Sequence, residues 1–135
     1  MNPMEKIAGD LRDVRREASS ISPEVLEAVP YENEGGTTRV EIENPEFTSL
    51  CPKTGLPDHG TIVVRYLPDR SIVELKSLKY YFMQYRNAGI FYERLTPLIL
   101  RHLCQVLDPL EMTVEARFTP RGGLSSTVVS TYRRP

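Results

Sequence analysis

The chain has no tryptophan, only two cysteines and two histidines, and almost no net charge. Cys51 and Cys104 are too few for a disulfide scaffold or a four-thiolate zinc site. A Cys2His2 site would need both cysteines, His59 and His102. His102 and Cys104 stand two apart on an expected helix and so point in different directions, and no metal is expected. Seventeen Lys+Arg against eighteen Asp+Glu leave a net charge of -1, which argues against affinity from bulk attraction to nucleic-acid phosphate but leaves a local basic patch open. No apolar run approaches the roughly 20 residues of a membrane span, and residues 1–10 lack a cleavable leader pattern. A cytoplasmic chain with reduced thiols is the expectation.

What is present fits a single folded unit. Hydrophobic residues make up 40% and charged residues 26% of 135 residues, enough for a core that buries about two-thirds of the unfolded surface. The length is too short for a Rossmann dinucleotide domain plus a substrate domain, so any cofactor must bind more economically. Residues 1–35 read as an N-terminal extension, partly ordered. A charged helix over 4–18 is followed by breakers at Pro23, Pro30 and Gly35-Gly36. Residues 36–135 read as the folded domain.

Thr38 to Glu43 alternates polar and apolar, a strand pattern, and 44–58 reads as a long proline-containing loop. Residues 61–67 are rich in β-branched and aromatic types and predict a second strand. A turn at 68–70 precedes a short extended segment over 71–75. Leu78, Tyr81, Phe82 and Tyr85 share a helical face within 77–86, and a second helix is expected over 91–107, ending before Pro109. Pro97 either sits in the first turn of a helix capped late by Thr96 or kinks a longer one. Strands over 111–118 and 124–132 flank a Pro120-Arg121-Gly122-Gly123 turn. The order is β-β-α-α-β-β, an α+β class with an antiparallel sheet and helices on one face.

Four places carry candidate chemistry. Cys51 lies between Leu50 and Pro52 in a stretch stiffened by Pro52 and Pro57, with Lys53 nearby to favour a thiolate nucleophile. Asp58, seven residues on, can face it as a proton donor or acceptor. The plainer alternative is a buried inert thiol, which is the reading for Cys104. In Glu74-Leu75-Lys76-Ser77-Leu78-Lys79-Tyr80-Tyr81, Lys76 and Lys79 share a face near a helix start and suit an anion, or form an ordinary solvated face. Glu93, after Phe91-Tyr92, either serves the helix dipole or accepts paired hydrogen bonds from an amidine-like ring edge. Arg121 sits in a turn and can contact phosphate.

Together, the Cys51 loop, the Glu74-to-Tyr81 stretch, Tyr85-Arg86-Asn87 and Phe118-to-Gly123 resemble the NADPH-dependent 7-cyano-7-deazaguanine (preQ0) reductases, the nitrile reductases of queuosine biosynthesis in tRNA modification, in their single-module form. The likeness covers roughly residues 38–132 and centres on the pattern E-[S/L]-K-[S/A]-x-K-[L/Y]-[Y/F/W]. It implies a tunnelling fold (T-fold) whose subunits close their sheets into a barrel. The assembly is a homo-oligomer of stacked rings, a decamer by resemblance, with active sites between subunits. It implies reduction of the preQ0 nitrile to the aminomethyl group of preQ1 with two NADPH. By resemblance Cys51 is the nucleophile that forms a thioimide and Asp58 the proton donor. Val73, Glu74, Leu75, Tyr92 and Glu93 contact the substrate, with Glu93 on its pyrimidine edge. Leu75, Lys76, Lys79, Arg121 and Gly122 contact NADPH. The family often has His where this chain has Tyr92.

Three rival readings make different demands on the sequence. An amidino- or aminotransferase of the same fold, acting on preQ0 already in tRNA, lacks the lysine-bearing signature. A GTP cyclohydrolase of the wider fold needs a metal constellation that two Cys and two His do not readily supply. A non-catalytic module binding a purine-like base or RNA has no need of both Cys51 and Asp58.

Overall fold

The computed structural model describes residues 2–10, 16–32 and 37–135. The central sheet is built on four antiparallel strands: β3 (Val40–Leu50), β4 (Pro57–Leu67), β7 (Glu111–Arg121) and β8 (Leu124–Arg133). Short strands β1 (Arg16–Glu17) and β6 (Ala88–Gly89) extend it in parallel beside β3, giving the order β1-β6-β3-β4-β7-β8. β2 (Ala28–Pro30) pairs antiparallel with β5 (Ser71–Val73) in a separate ribbon. Three α-helices are present among the described residues: α1 (Pro3–Asp10), α2 (Leu75–Met83) and α3 (Tyr92–Leu107). None among the described residues is long and apolar enough to cross a membrane.

The long loop expected over 44–58 shrinks to residues 51–56, because β3 continues past Pro45 through a bulge. Asn44 pairs with Ile62, but Phe47 pairs with Gly60, so one extra residue sits in β3. A proline cannot donate to a ladder, and within a bulge it is not asked to. Glu46 N–H turns instead to Asn44 Oδ1 at 3.1 Å. The extra residue restores the pleat, so Phe47 and Ser49 are buried on the core face. The same device recurs in β7, where the register with β8 slips between Phe118 and Arg121 at Thr119-Pro120. Beyond it Gly122 (φ 58°) and Gly123 (φ 82°) close a two-residue hairpin whose two positive φ angles suit glycine.

Helix α2 starts two residues before its expected position because Glu74 caps it. The Glu74 carboxylate accepts from Lys76 N–H at 2.9 Å and Ser77 N–H at 2.7 Å. A 3₁₀ turn over Gln84–Asn87 follows it. Helix α3 starts at Tyr92, so Thr96 is not its cap. The Thr96 hydroxyl donates back to Tyr92 O at 2.8 Å, one turn earlier, and Pro97 lies inside the helix. α3 stops where Asp108 takes φ 46°.

The apolar faces meet as the periodicities require. Ile62, Val64 and Tyr66 of β4 and Met112, Val114, Ala116 and Phe118 of β7 point to the side covered by Leu78, Tyr81, Phe82, Leu95, Ile99 and Leu103. Each such aliphatic side chain contributes about 1.5–3 kcal/mol when fully buried. Tyr81 reconciles its hydroxyl with this core by bonding Tyr85 Oη at 2.8 Å and His102 Nδ1 at 2.7 Å. The other sheet face carries alternating charges, with Arg65 Nε on Glu41 at 2.6 Å and Arg39 on Glu111 at 2.5 Å.

The described part of residues 1–35 is packed onto this core: Ile7, Ala18, Ile21, Val25 and Leu26 are buried in it. Gln84, itself buried, accepts from Ser22 N–H and donates to Ser22 O, both at 2.9 Å. The helix expected over 4–18 is α1 followed by an extended β1, with 11–15 outside the described residues. Gly35-Gly36, the expected boundary, also lies outside them.

Candidate active site

The 51–56 loop is clamped by its own backbone. Cys51 N–H donates to Leu56 O at 2.9 Å and Gly55 N–H to Cys51 O at 2.8 Å, with Gly55 at φ 74°. This leaves the thiol partly exposed above the sheet. A side-chain hydrogen bond from Thr54, with backbone bonds at Thr54 and Lys53, holds the Cys51 thiol below its ordinary range; slight burial and the Asp58 charge oppose this. Cys104 behaves in the opposite way. Burial, with the nearby Asp108 charge, pushes it up to about 11.

Asp58 is buried at the start of β4, 5% exposed, because it lies on the core face of the pleat. Arg121 Nη1 forms an ion pair with its Oδ1 and donates to Pro57 O at 3.0 Å. Tyr92, in the first turn of α3, hydrogen-bonds the same carboxylate. Burial first, then this bond and the Asp58 charge, push the phenol up to about 12, so it stays protonated and donates. The Tyr92 ring lies flat on Phe118, with centroids 3.5 Å apart and planes 8° from parallel. Phe118 in turn rests over Gly60, its ladder partner, where an added Cβ would stand 2.9 Å from the Phe118 ring. Cys51, Thr54, Asp58, Ile90, Tyr92 and Arg121 enclose a cavity of about 330 Å³.

The structure therefore gathers Cys51, Asp58, Tyr92 and Arg121 into one cavity, and places the remaining candidates elsewhere on the chain. Leu75 and Lys79 line a separate groove of about 480 Å³ with Phe47, Phe82 and Arg86. Lys76 and Lys79 are exposed, and neither makes an ion pair among the described residues. Glu74 is engaged in capping α2, and buried Val73 donates its N–H to Tyr66 Oη at 3.1 Å. Glu93 is exposed and faces a third hollow beside Arg94 and His102. Gly122 sits at the open hairpin tip next to Arg121.

Thr54 and Ser49 escaped the sequence reading. Thr54 had only its place three residues after Cys51 to signal it. Ser49 is paired across the ladder with Asp58, is fully buried, and its hydroxyl has no hydrogen-bond partner among the described residues. Among the same residues no cluster of three or more His, Cys, Asp or Glu is arranged to hold a metal.

The family model for QueF-like protein matches residues 57–135. An NADPH-dependent 7-cyano-7-deazaguanine reductase of Chlorobium phaeobacteroides is 56% identical over 109 residues, covering 81% of this chain and 94% of that protein. One from Chlorobaculum parvum is 59% identical over 93 residues, 69% of this chain and 80% of that protein. One from Chloroherpeton thalassium is 49% identical over 83% of this chain and 97% of its own. Among solved structures, the apo archaeosine synthase QueF-Like superposes with a TM-score of 0.64 over 73% of this chain and 95% of its own. Its sequence identity is only 20%, so that likeness shows a shared fold and nothing finer. The matched span carries Asp58, the Glu74-to-Tyr81 stretch, Tyr92 and Arg121, and with relatives this close this chain belongs to the QueF-like protein family.

Proposed function

We propose that this chain is an NADPH-dependent nitrile oxidoreductase that reduces preQ0 to preQ1 through a covalent thioimide on Cys51. The observation that carries the chemistry is the single cavity in which a thiol favoured toward thiolate faces a buried carboxylate. Relatives named for this reduction supply the substrate.

A nitrile carbon is a weak electrophile, and sulfur addition converts it into a better one while splitting a hard step into easier ones. The Cys51 S–H proton passes to Asp58, sulfur bonds the nitrile carbon, and Asp58 returns the proton to the nitrile nitrogen, giving a neutral thioimide. Tyr92 and Arg121 hold Asp58 in place during this exchange. Each of two NADPH molecules, bound in turn, would supply one hydride, the first to the thioimide carbon and the second to the imine carbon formed after Cys51 departs. Between them Cys51 leaves as the thiol, and Asp58 moves the protons that the nitrogen and sulfur need.

Lys76, Lys79 and Arg121 suit the cofactor's phosphates: two are exposed cations without a carboxylate partner among the described residues, and the third stands on an open hairpin tip. Leu75 and Gly122 flank them. Val73, Glu74 and Leu75 are assigned to the substrate edge together with Tyr92 and Glu93. Because Glu93, Lys76 and Lys79 do not line the Cys51 cavity within one chain, the complete site needs a neighbouring copy. We assign a ring-forming homo-oligomer acting in the cytoplasm.

The test is NADPH oxidation with and without preQ0, with intact mass of protein plus preQ0 alone. The expected results are preQ0-dependent oxidation and an adduct of the mass of preQ0 that is lost in Cys51→Ala. No adduct in the wild type, or one that survives Cys51→Ala, refutes the thioimide. Addition of an amino donor to the nitrile of preQ0 already in tRNA, without NADPH consumption, favours the transferase instead.

A further inference from the structure

One guanidinium in the cavity has two claims on it. Arg121 pairs with Asp58 and also donates to Pro57 O at 3.0 Å, yet its side chain is 40% exposed while that of Asp58 is 7% exposed. Arg121 stands at the end of β7, beside Gly122 and Gly123. An added Cβ on either glycine would meet nothing within 4 Å, so the tip leaves space for the guanidinium to turn outward. The hydride must reach the carbon bonded to Cys51, so the reduced nicotinamide has to enter the mouth of this cavity, bringing its phosphates to the rim. Arg121 is the cation lining that cavity. A guanidinium can fork onto a phosphate or onto a carboxylate, and doing one weakens its hold on the other.

We propose that Arg121 is exchanged between Asp58 and the cofactor's phosphates, so that cofactor binding strips Asp58 of its counter-ion. This rests on the nitrile-reductase reading above. Before the cofactor arrives, the guanidinium covers Asp58 Oδ1 while Tyr92 holds the same carboxylate. Afterwards Oδ1 is uncovered inside the cavity, where it can reach the substrate nitrogen. The exchange orders the reaction: thiol addition first, proton donation during reduction afterwards. Binding and pairing are reciprocal, so whatever releases Arg121 from Asp58 must tighten cofactor binding by the same factor.

The experiment is a double-mutant cycle on NADP+ affinity in the full assembled chain, without nitrile substrate. Asp58→Asn keeps the shape and removes the ion pair. It should bind NADP+ about twofold to fivefold more tightly than wild type, the range for a partly exposed ion pair. Arg121→Ala, at an exposed tip, should bind more weakly, and adding Asp58→Asn to it should restore nothing. A gain in Asp58→Asn that persists in the Arg121→Ala background is a general charge effect and overturns the exchange. An unchanged or weaker affinity in Asp58→Asn overturns it too. Wild type that neither binds NADP+ nor oxidises NADPH with preQ0 overturns the nitrile-reductase reading itself. A thermal melt confirms that each variant is folded, and Asp58→Ala provides a second way to remove the pair.

Discussion

Gly60→Ala tests the way the sheet supports the site. Gly60 faces Phe118 across the β4–β7 ladder, and a Cβ there would lie 2.5 Å from Arg117 O, 2.9 Å from Phe118 Cδ1 and 3.2 Å from Phe118 Cα. Ordinary contact begins at 3.4 Å, so a backbone carbonyl and a buried ring must both retreat. Neither is the free end of a flexible side chain. The strands must part locally, an overpacking cost of about 1–3 kcal/mol. At the usual entropy of unfolding this lowers Tm by roughly 3–11 °C in a domain of this size. The displacement passes upward, because Phe118 is the floor beneath the Tyr92 ring. Disturbing that stack loosens the hydroxyl on Asp58, and misplacing a proton-transfer group should reduce kcat by about tenfold or more. Calorimetry and NADPH oxidation with saturating preQ0 read the two effects. A Gly60→Ala protein with wild-type Tm and kcat would refute both the tight approach and the link from Phe118 to Asp58.

Three other outcomes are expected. Near neutral pH iodoacetamide should modify Cys51 and spare Cys104, whose burial pushes it up to about 11. Thr54→Val should slow the Cys51 reaction by removing the leading bond to the thiolate, as peptide mass mapping of the labelled protein would show. Gln84→Ala should cost about 1–3 kcal/mol in denaturant unfolding by leaving Ser22 N–H and O unpaired, while kcat stays unchanged. Burial, with Arg101 nearby, lowers the proton affinity of His102, so the unfolded chain binds the proton more readily. Stability should therefore be full above about pH 6.5 and fall as pH drops below it, and His102→Gln should flatten that slope in melts.

The four long strands and both main helices were legible because their apolar residues keep period 2 or 3.6 through each element. What misled was proline. Pro45 and Pro120 normally end strands, but here each sits in a bulge, a state set by the partner strand's register and invisible in local sequence. The start of α2 was read late because Glu is an uncommon cap, and only the structure shows its carboxylate on two backbone N–H groups. Cys51 and Asp58 were readable as a pair from the stiff stretch between them. Their surroundings were not. Tyr92 and Phe118 are joined by a stack, and Arg121 reaches Asp58 across 63 positions, and no residue type announces such contacts in advance. Residues 1–35 read as a partly ordered extension because their apolar residues are too scattered to show a period. Ile7 is an anchor on α1, and Ile21 and Leu26 are anchors set singly along irregular backbone.

The two backbone bonds that clamp residues 51–56 have a consequence for timing. A nucleophile on a free loop would have to search for its orientation anew in every catalytic cycle. Here the search ends when the chain folds, since Cys51 is tied to Leu56 and Gly55 before any substrate arrives. Only the sulfur torsion remains to be set. The chain thus spends its conformational entropy once in its lifetime, and on the proposed thioimide route each molecule of nitrile would meet a thiol that is already aimed.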